Sequence, residues 1–378
     1  MAHSSKPIKI LTIVGARPQF IKAAMVSRAI VAHNRDKRQP EIIEAILHTG
    51  QHYDENMSDI FFTQMEIPEP AVNLHAGTGL HGEMTARMLA RIEKEIIDRK
   101  PDWALVYGDT NSTLAGALAA AKLHVPVAHI EAGLRSFNKQ MPEEINRILA
   151  DHVSTLLLCP THAAVANLAK EGITKGVHHV GDVMYDAALA FGKIAKNEST
   201  ILSDLNIAPG SYLLATVHRA ENTDDPDKLQ NILAAFLKTP EPIVFPVHPR
   251  TRQKIADLTT YDFKAGFDAP VFEFQNITFI DPVSFLDMVQ LEQNARCILT
   301  ESGGVQKEAY FHGIPCVTLR KETEWVETVH AGWNQVVGTD TARICEAVRK
   351  AGQGTPIPEF GEGSASKAIV DILAGNER

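Results

Sequence analysis

Residues 297–308, CILTESGGVQKE, decide how this chain is expected to fold. The apolar run Cys297–Thr300 predicts a buried strand, Gly303 and Gly304 predict a tight turn, and the residues that follow predict a helix. A helix that begins directly after a strand presents free backbone N–H groups and the positive end of its dipole. The stretch therefore predicts an anion site of the α/β type, with a plain turn capped by Ser302 as the alternative.

The same alternation of strand and helix runs through the chain. Predicted strands in the first half are Ile8–Val14, Ile42–Leu47, Trp103–Tyr107, Val125–Ile130 and Thr155–Leu158. Those in the second half are Tyr212–Val217, Ile243–Val247, Thr278–Ile280, Cys297–Thr300 and Cys316–Leu319. Helical patterns separate them, which predicts an α/β fold of two doubly wound, Rossmann-like domains with parallel sheets. We expect residues 1–185 to form the first domain, completed by a helix at 364–378, and residues 186–363 to form the second.

Length and composition agree with a two-domain globular enzyme. The chain has 378 residues, of which 44% are hydrophobic and 22% charged, and its formal net charge is -9. An acidic chain is a poor candidate for duplex nucleic acid, and no apolar run approaches the roughly 20 residues of a membrane span. The four cysteines, Cys159, Cys297, Cys316 and Cys345, form no CxxC pair and are expected to be free thiols. These features favour a cytoplasmic protein without nucleic-acid or membrane partners.

Polar residues cluster just past the carboxyl ends of the predicted strands. The seven are Arg17, His52, Asp109, Glu131, His218, His248 and Ser302. In open α/β sheets this edge forms the ligand crevice. Loops after strands are often polar for other reasons, but seven examples favour a binding site.

Two junctions are candidates for binding phosphate. Arg17 and Lys22 follow the first strand, where a guanidinium can grip phosphate oxygens, although two solvated basic residues remain the alternative. At the second junction, the N–H groups of Ser302, Gly303 and Gly304 suit a diphosphate, and Glu308 one turn later suits ribose hydroxyls. The sequence thus predicts a nucleotide-type ligand.

Candidate acid and base groups lie at the same edge. Asp109 and Glu131 follow strands that should be neighbours, and Glu143 opens a helix. Glutamates in a first helical turn often serve only the helix dipole, and a lone histidine such as His218 is more often structural. Three converging carboxylates would nevertheless suit proton transfer.

No cofactor or metal is expected from the motifs. The stretch Gly77–Gly82 matches GxGxxG, but it follows a poor strand and lacks the acidic residue of a dinucleotide site. Neither a Walker A loop nor a zinc-type Cys/His spacing occurs in the sequence.

Six ordered motifs carry a resemblance to a known family. They are Gly15-Ala16-Arg17-Pro18, Thr49-Gly50-Gln51-His52, Gly108-Asp109-Thr110, Ile130-Glu131-Ala132-Gly133-Leu134-Arg135, Pro142-Glu143-Glu144-Ile145-Asn146-Arg147 and Ser302-Gly303-Gly304-Val305-Gln306. Together they resemble the bacterial non-hydrolysing UDP-N-acetylglucosamine 2-epimerases, from about Lys9 to Gly338.

The resemblance implies a set of roles. It implies a glycosyltransferase-B-type arrangement of two domains facing a cleft, usually in a homodimer. Catalytic positions would be Asp109, Glu131, Glu143 and His218. Substrate and UDP contacts would be Arg17, Lys22, Arg135, Arg219, Ser302, Gly303, Gly304 and Glu308. A possible regulatory site would involve Gln51, His52 and His248.

The implied reaction is epimerisation at C2 without a cofactor. A base removes the C2 proton while UDP leaves C1, and UDP then adds back to the glycal intermediate as a proton reaches the other face. UDP-GlcNAc and UDP-ManNAc would interconvert in this way, for surface polysaccharide synthesis.

Two departures from the family pattern keep other interpretations open. Gln19 replaces the glutamate of Arg-Pro-Glu, and Trp325 replaces the arginine of Thr-Glu-Arg-Pro-Glu. With Arg135-Ser136-Phe137-Asn138, these resemble the branch acting on UDP-2,3-diacetamido-2,3-dideoxy-glucuronic acid. A UDP-sugar-dependent glycosyltransferase would share the fold and the UDP site, and a catalytically dead nucleotide-sugar sensor is a third possibility.

Overall fold

The protein consists of two compact α/β units. The computed structural model describes residues 6–51, 68–77, 79–258 and 269–375. Unit 1 comprises Met1–Ala187 and Pro358–Arg378, and unit 2 comprises Ala188–Ile357. Each unit contains one seven-stranded sheet. The predicted α/β class with two parallel-sheet domains is confirmed.

The sheet of unit 1 is parallel throughout. Its strands are β1 (Ile8–Val14), β2 (Ile42–His48), β3 (Val72–Asn73), β4 (Trp103–Tyr107), β5 (Val127–Ile130), β6 (Leu156–Cys159) and β7 (Val177–His179). Their order is β3-β2-β1-β4-β5-β6-β7, with every pair parallel. Strands β4, β5 and β6 are buried along their whole length, as expected where helices cover both faces.

The helices of unit 1 begin close to the carboxyl ends of its strands. They are α1 (Arg17–Arg35), α2 (His81–Arg99), α3 (Asn111–Lys122), α4 (Pro142–Val153), α5 (His162–Lys170) and α6 (Val183–Glu198), which continues into unit 2. Pro18 and Pro142 lie in the first turns of α1 and α4, where no N–H donor is needed. Thr110 caps α3 by accepting from the Thr113 N–H at 3.3 Å.

The sheet of unit 2 departs from the prediction at one edge. Its strands are β8 (Leu213–Thr216), β9 (Ile243–Pro246), β10 (Val271–Phe274), β11 (Ile277–Ile280), β12 (Cys297–Thr300), β13 (Cys316–Thr318) and β14 (Asn334–Val336), in the order β10-β11-β9-β8-β12-β13-β14. Strand β10 is antiparallel to β11. Only two residues, Gln275 and Asn276, join these strands, and a parallel pair would need a much longer crossover.

Helices cover both faces of this second sheet. They are α7 (Ile201–Asp204), α8 (Ala220–Thr223), α9 (Pro226–Lys238), α10 (Pro249–Ala256), α11 (Phe285–Asn294), α12 (Gly303–Phe311), α13 (Val326–His330) and α14 (Thr341–Lys350). Leu213 and Phe236 belong to one core cluster, whereas Leu214 and Leu291 belong to another. Successive residues of β8 therefore feed opposite layers, as a doubly wound sheet requires.

The chain returns to unit 1 through α15 (Ala365–Gly375), which packs against α1. Asp186 accepts hydrogen bonds from the Ala365 N–H at 3.1 Å and the Ser366 N–H at 2.7 Å. These bonds satisfy the first turn of α15 and hold the C-terminal segment on unit 1.

The second boundary between the units falls earlier than the predicted residue 363. The Asp182 N–H donates to the Phe360 carbonyl at 3.0 Å. Gly181 has φ +85°, and a β-carbon there would come within 2.9 Å of the same oxygen. This close approach ties the chain to unit 1 from Pro358 onward.

Within the described residues, no helix is long and apolar enough to cross a membrane. All four cysteines are free thiols, and Cys159, Cys297 and Cys316 are buried whereas Cys345 is partly exposed.

Candidate active site

Asp109 and Glu131 lie at the carboxyl ends of the neighbouring strands β4 and β5. Glu131 has φ +70°, a left-handed conformation that a residue with a side chain adopts only when its surroundings impose it. A β-carbon added to Gly108 would lie 3.3 Å from Glu131 Oε2 and 3.5 Å from Lys22 Nζ. The structure thus brings together a carboxylate, a lysine and the loop that carries Asp109.

Each of these two carboxylates has its own cation. Lys22 Nζ forms an ion pair with Glu131 Oε2, and both side chains are largely buried. Arg147 forms an ion pair with Asp109, whose side chain remains 32% exposed. Lys22 was predicted to contact phosphate. In this structure its ammonium pairs with Glu131.

The two glutamates that begin α4 have different roles. Glu144 is buried and accepts hydrogen bonds from the Ser136 N–H at 2.9 Å, the Phe137 N–H at 3.0 Å and Arg147 at 3.1 Å. Glu143 is exposed and has no hydrogen-bond partner among the described residues. Glu144 thus shapes the preceding loop, and Glu143 is left accessible to a ligand.

Helix α4 also fixes Asp109, a role that sequence reasoning missed. Asn146 Nδ2 donates to the Asp109 carbonyl at 2.9 Å and to Asn111 Oδ1 at 3.1 Å. Arg147 holds the Asp109 carboxylate from the same helix. Both residues stand in the motif that suggested Glu143, and their spacing to it places all three near one turn.

Arg135, predicted to contact substrate, is buried and paired with carboxylates. Its side chain is 1% exposed, and it pairs with Asp151 at 2.7 Å and with both oxygens of Glu171 at 2.7 and 2.8 Å. Burial alone would lower the pKa of Arg135, but these two carboxylates raise it. The structure therefore gives Arg135 two carboxylate partners in the interior of unit 1.

Asp151 is the centre of this buried cluster. It accepts from the Gly133 N–H at 3.1 Å, from Arg135, and from His129 Nδ1, which is 2.7 Å from Asp151 Oδ1. Burial raises the pKa of Asp151, but bonds from His129 and Arg135 outweigh that effect and lower it. The cluster lies directly behind the loops that carry Asp109 and Glu131.

Two glutamines accept from backbone N–H groups that follow β1 and β4. Gln19 Oε1 accepts from the Gly15 N–H at 2.8 Å, and its Nε2 donates to the Tyr107 carbonyl at 2.7 Å. Gln51 Oε1 accepts from the Ser112 N–H at 3.0 Å. The departure at position 19 therefore has a local cause, because a carboxylate there would face the Tyr107 carbonyl without a proton to donate.

Two predicted residues, Arg17 and His52, have side chains outside the described part of the structure. Arg17 is the first residue of α1, but its side chain lies outside the described part of the structure, as does all of His52.

The glycine turn of unit 2 is open above its backbone. Ser302 caps α12 by accepting from the Val305 N–H at 3.5 Å. A β-carbon would have no neighbour nearer than 3.5 Å at Gly303 or 3.8 Å at Gly304, and Glu308 Oε2 lies 3.9 Å from the latter position. Neither glycine is required by packing or by a positive φ. Their lack of side chains leaves the first N–H groups of α12 accessible, which suits the predicted diphosphate.

Glu301 organises the loop beside this turn, and sequence reasoning gave it no role. It is fully buried, and it accepts hydrogen bonds from the backbone N–H groups of His218 (2.5 Å) and Arg219 and from Asn222 Nδ2 (2.5 Å). The carboxylate that directly follows β12 thereby fixes the backbone that carries His218.

His218 and His248 lie near one another in unit 2. Desolvation lowers the pKa of His218, Arg219 and His248 lower it further, and Glu301 opposes them. His248 Nδ1 accepts from the Arg250 N–H at 3.3 Å as the cap of α10. Of the predicted regulatory residues, Gln51 belongs to unit 1 and His248 to unit 2.

Trp325 lies against the glycine turn. Its Nε1 is 3.6 Å from the position of a β-carbon on Gly303, and Glu324 Oε2 is 3.5 Å from it. Lys307 Nζ lies 3.9 Å from the centroid of the Trp325 ring. Burial raises the pKa of Glu324, but Arg320 outweighs it and lowers that pKa. The departure at position 325 thus touches the candidate anion site itself.

The glycines of the GxGxxG stretch follow β3, the short edge strand of unit 1. Gly77 and Gly79 lie between the two-residue strand β3 and helix α2, and Gly82 lies in the first turn of that helix. Across 6–51, 68–77, 79–258 and 269–375, no three His, Cys, Asp or Glu side chains group as metal ligands.

Comparison with solved structures reveals two close matches. A Methanocaldococcus jannaschii UDP-GlcNAc 2-epimerase in complex with UDP-GlcNAc and UDP matches with a TM-score of 0.84 at 41% identity, over 97% of this chain and 99% of that one. A Neisseria meningitidis UDP-GlcNAc 2-epimerase bound to UDP-GlcNAc matches with a TM-score of 0.84 at 31% identity, over 98% and 100%.

Sequence comparison gives the family. The chain is 52% identical to a UDP-N-acetylglucosamine 2-epimerase homolog of Methanococcus maripaludis, over 97% of this chain and 99% of its relative. It is 50% identical to the UDP-2,3-diacetamido-2,3-dideoxy-D-glucuronate 2-epimerase of Pseudomonas aeruginosa, over the same shares. The family model described as UDP-N-acetylglucosamine 2-epimerase matches residues 34–374. This chain therefore belongs to the UDP-N-acetylglucosamine 2-epimerase family.

Proposed function

We propose that this protein inverts C2 of a UDP-linked N-acetylated sugar, interconverting UDP-GlcNAc and UDP-ManNAc by elimination and re-addition of UDP. The observation that carries the proposal is the pair of carboxylates, Asp109 and Glu131, at the ends of adjacent strands, each held by its own cation. Glu143 adds an accessible carboxylate from α4. No redox cofactor is required, because the proton and the UDP group removed in the first step are both returned in the second.

The carboxylates of unit 1 act on the sugar in this proposal. A C2–H is a weak acid, so its removal requires a base held in a productive position. Arg147 and Asn146 fix Asp109, and Lys22 fixes Glu131, which supplies that positioning. Two proton transfers on opposite faces of C2 require two groups, and three carboxylates supply them.

Unit 2 binds UDP in this proposal. The N–H groups of Gly303 and Gly304 and the Ser302 side chain receive the diphosphate, and Glu308 receives the ribose hydroxyls. Arg219 is placed beside His218 by Glu301, where a cation and an imidazole stabilise charge on departing UDP. We assign Arg17 a phosphate contact from its place at the start of α1.

The decisive experiment is incubation with UDP-GlcNAc alone in D2O, followed by NMR. We expect deuterium at C2 of both epimers and a trace of free UDP, because the intermediate is formed with UDP detached. Absence of C2 deuteration would exclude the mechanism. Sugar transfer that requires an added acceptor would instead identify a glycosyltransferase, and binding without any turnover would identify a sensor.

A second substrate, UDP-2,3-diacetamido-2,3-dideoxy-glucuronic acid, is favoured by one specific observation. Trp325 touches the glycine turn where most family members carry arginine, and the relative that acts on the uronate is 50% identical to this chain. If specificity has moved, kcat/KM for the uronate should exceed that for UDP-GlcNAc by about tenfold or more, roughly 1.4 kcal/mol in transition-state binding. Equal or higher efficiency with UDP-GlcNAc would retain the first substrate.

Assembly and location complete the proposal. Ile145 and Leu149 lie one turn apart on α4 and are 39% and 42% exposed, which supports a homodimer formed through this helix. Light scattering of wild type and of Leu149→Glu would test it, with a monomer expected for the variant only.

Four free thiols support a reducing, cytoplasmic setting.

A further inference from the structure

His129 is a fully buried histidine that belongs to none of the assigned roles. It lies in β5, two residues before Glu131, and it is 0% exposed. Its Nδ1 is 2.7 Å from Asp151 Oδ1, and its Nε2 is 2.7 Å from the Gly108 carbonyl oxygen. A carboxylate and a carbonyl only accept hydrogen bonds. A neutral imidazole has one N–H, so both bonds exist only if both ring nitrogens carry protons.

The charged groups nearest His129 are Asp151, Arg135 and Glu171. Asp151 and Glu171 are the carboxylates of the cluster, and Arg135 is its permanent cation, paired with both. Burial raises the pKa of the Cys159 thiol to about 12, with Asp151 adding to the effect, so this neighbour is neutral. The Glu171 side chain is 28% exposed and also lies 3.9 Å from His152, so the fully buried charges beside His129 are those of Asp151 and Arg135.

The cluster holds both loops that carry the candidate bases. His129 binds the carbonyl of Gly108, the residue before Asp109, and Gly108 lies at φ +62°. Asp151 binds the N–H of Gly133, two residues after Glu131, which lies at φ +70°. One histidine–aspartate pair thus joins the two backbone segments that carry Asp109 and Glu131.

We propose that His129 is a positioning residue, held as an imidazolium, which sets the distance between the Asp109 and Glu131 loops for proton transfer at C2. The proposal rests on the proposed function for its kinetic consequence, but the protonation of His129 does not depend on it. His129 does not touch the reacting atoms. It acts through the Gly108 carbonyl and through Asp151.

The first test measures the protons on wild-type His129 directly. Protein with 15N-labelled histidine rings would be compared by NMR at neutral pH with His129→Gln, which assigns the resonances. We expect two protonated ring nitrogens, each coupled to its own hydrogen. A single protonated nitrogen on His129 would overturn the proposal. The measurement is made on the wild type and needs no turnover. A variant serves only to assign the His129 resonances, and Asp151→Asn can replace His129→Gln for that purpose.

The second test measures what positioning contributes. We expect His129→Gln to lower kcat about a hundredfold, because a small displacement of a base has an effect of that order, while KM and UDP affinity change less than about twofold. A glutamine offers a donor to one partner only. The pH–rate profile of His129→Gln should keep the shape of the wild-type profile, since no reacting group is removed.

The matched control is His33→Gln. His33 is also buried in unit 1, with Nε2 2.9 Å from the Pro40 carbonyl, but it lies at the far end of α1. The His33→Gln variant should be less stable than the wild type and should keep the wild-type kcat. A folded His129→Gln with unchanged kcat would refute the positioning role. If the wild type shows no exchange at C2, the proposed function fails, and the NMR result still decides the state of His129.

Discussion

The carboxyl edges of the two sheets are built in opposite ways. In unit 1 the edge consists of charged side chains, with Asp109 and Glu131 each paired to a cation. In unit 2 the edge consists of backbone, with Gly304 exposed, Gly303 half-buried and one buried carboxylate, Glu301, binding N–H groups. The same doubly wound architecture thus presents side-chain chemistry in one unit and main-chain donors in the other.

This difference follows from what each edge has to do. Proton transfer needs groups held at fixed distances, and buried ion pairs hold them at the cost of desolvation. Phosphate binding needs several donors at low cost, which a helix N-terminus supplies without any side chain. Unit 1 should therefore be sensitive to removing a side-chain charge, and unit 2 should be sensitive to adding a side chain.

The largest effect is expected from the carboxylates of unit 1. Asp109→Asn, Glu131→Gln and Glu143→Gln should each lower kcat by about a hundredfold to ten-thousandfold, because a positioned acid or base contributes that much. UDP affinity, assigned to unit 2, should stay within about threefold by calorimetry. Glu93→Gln, an exposed position on α2, is the matched control. Near-normal turnover in all three variants would end the assignment.

The next effect is the pH dependence of stability, in which two buried histidines should differ. His129 lies between two acceptors, whereas burial lowers the pKa of His312 in unit 2 to about 4, with Glu292 Oε2 3.8 Å away. The unfolded chain binds this proton below about pH 6.5 and the native protein does not. Stability should therefore be complete above pH 6.5 and fall by about 3 kcal/mol as pH drops to 4.

Urea unfolding at several pH values measures this loss. His312→Gln, which removes the titrating group, should lose about 3 kcal/mol less than wild type between pH 7.5 and pH 4. Parallel pH profiles for the two proteins would show that His312 titrates normally in the native state.

Sequence patterns predicted the strands that are buried on both faces and missed those at sheet edges. Trp103–Tyr107 and Cys297–Thr300 were predicted at their observed bounds, because continuous apolar runs bounded by polar residues identify central parallel strands. Val271–Phe274 alternates exposed and half-buried residues at an edge, and Val72–Asn73 is two residues long. Neither leaves a strong hydrophobic signal.

The supporting residues of the site were harder to predict than its exposed ones. Motif position suggested Asp109 and Glu131, but Arg135 stood in the same motif and proved to be a buried cation. His129 and Glu301 work through backbone atoms distant in sequence, in bonds that span 21 and 83 residues. No local spacing encodes such contacts, because they depend on which strands become neighbours.

Adding a methyl group at the glycine turn of unit 2 should weaken UDP binding. In Gly303→Ala the new β-carbon would have its nearest neighbour at 3.5 Å, so the protein accommodates it, and alanine favours the helix. The methyl group would occupy space that the diphosphate must enter. UDP affinity should fall about thirtyfold, near 2 kcal/mol, through weakened charge-assisted hydrogen bonds.

Gly82→Ala is the control for this effect. A β-carbon at Gly82 has nothing within 4 Å, and this glycine also begins a helix. Unchanged UDP affinity in folded Gly303→Ala would place the nucleotide elsewhere.

The smallest effect concerns which sugar is used, and it is carried by Trp325. The ring packs on the Lys307 ammonium at 3.9 Å and points its N–H toward the turn, so Trp325→Arg would place a second cation beside Lys307. That repulsion would shift Lys307 and the start of α12. We expect the kcat/KM ratio of uronate to UDP-GlcNAc to fall about tenfold, or 1.4 kcal/mol.

Trp325→Phe divides this effect into its two causes. Phenylalanine keeps a ring for Lys307 but has no N–H to offer a ligand. If the ratio changes in Trp325→Arg and not in Trp325→Phe, the arrangement of cations sets the preference for the sugar. If both variants change it equally, the indole N–H contacts the substrate. An unchanged ratio in both would assign the departure at position 325 to packing alone, and would leave the glycine turn without a specificity residue on this side.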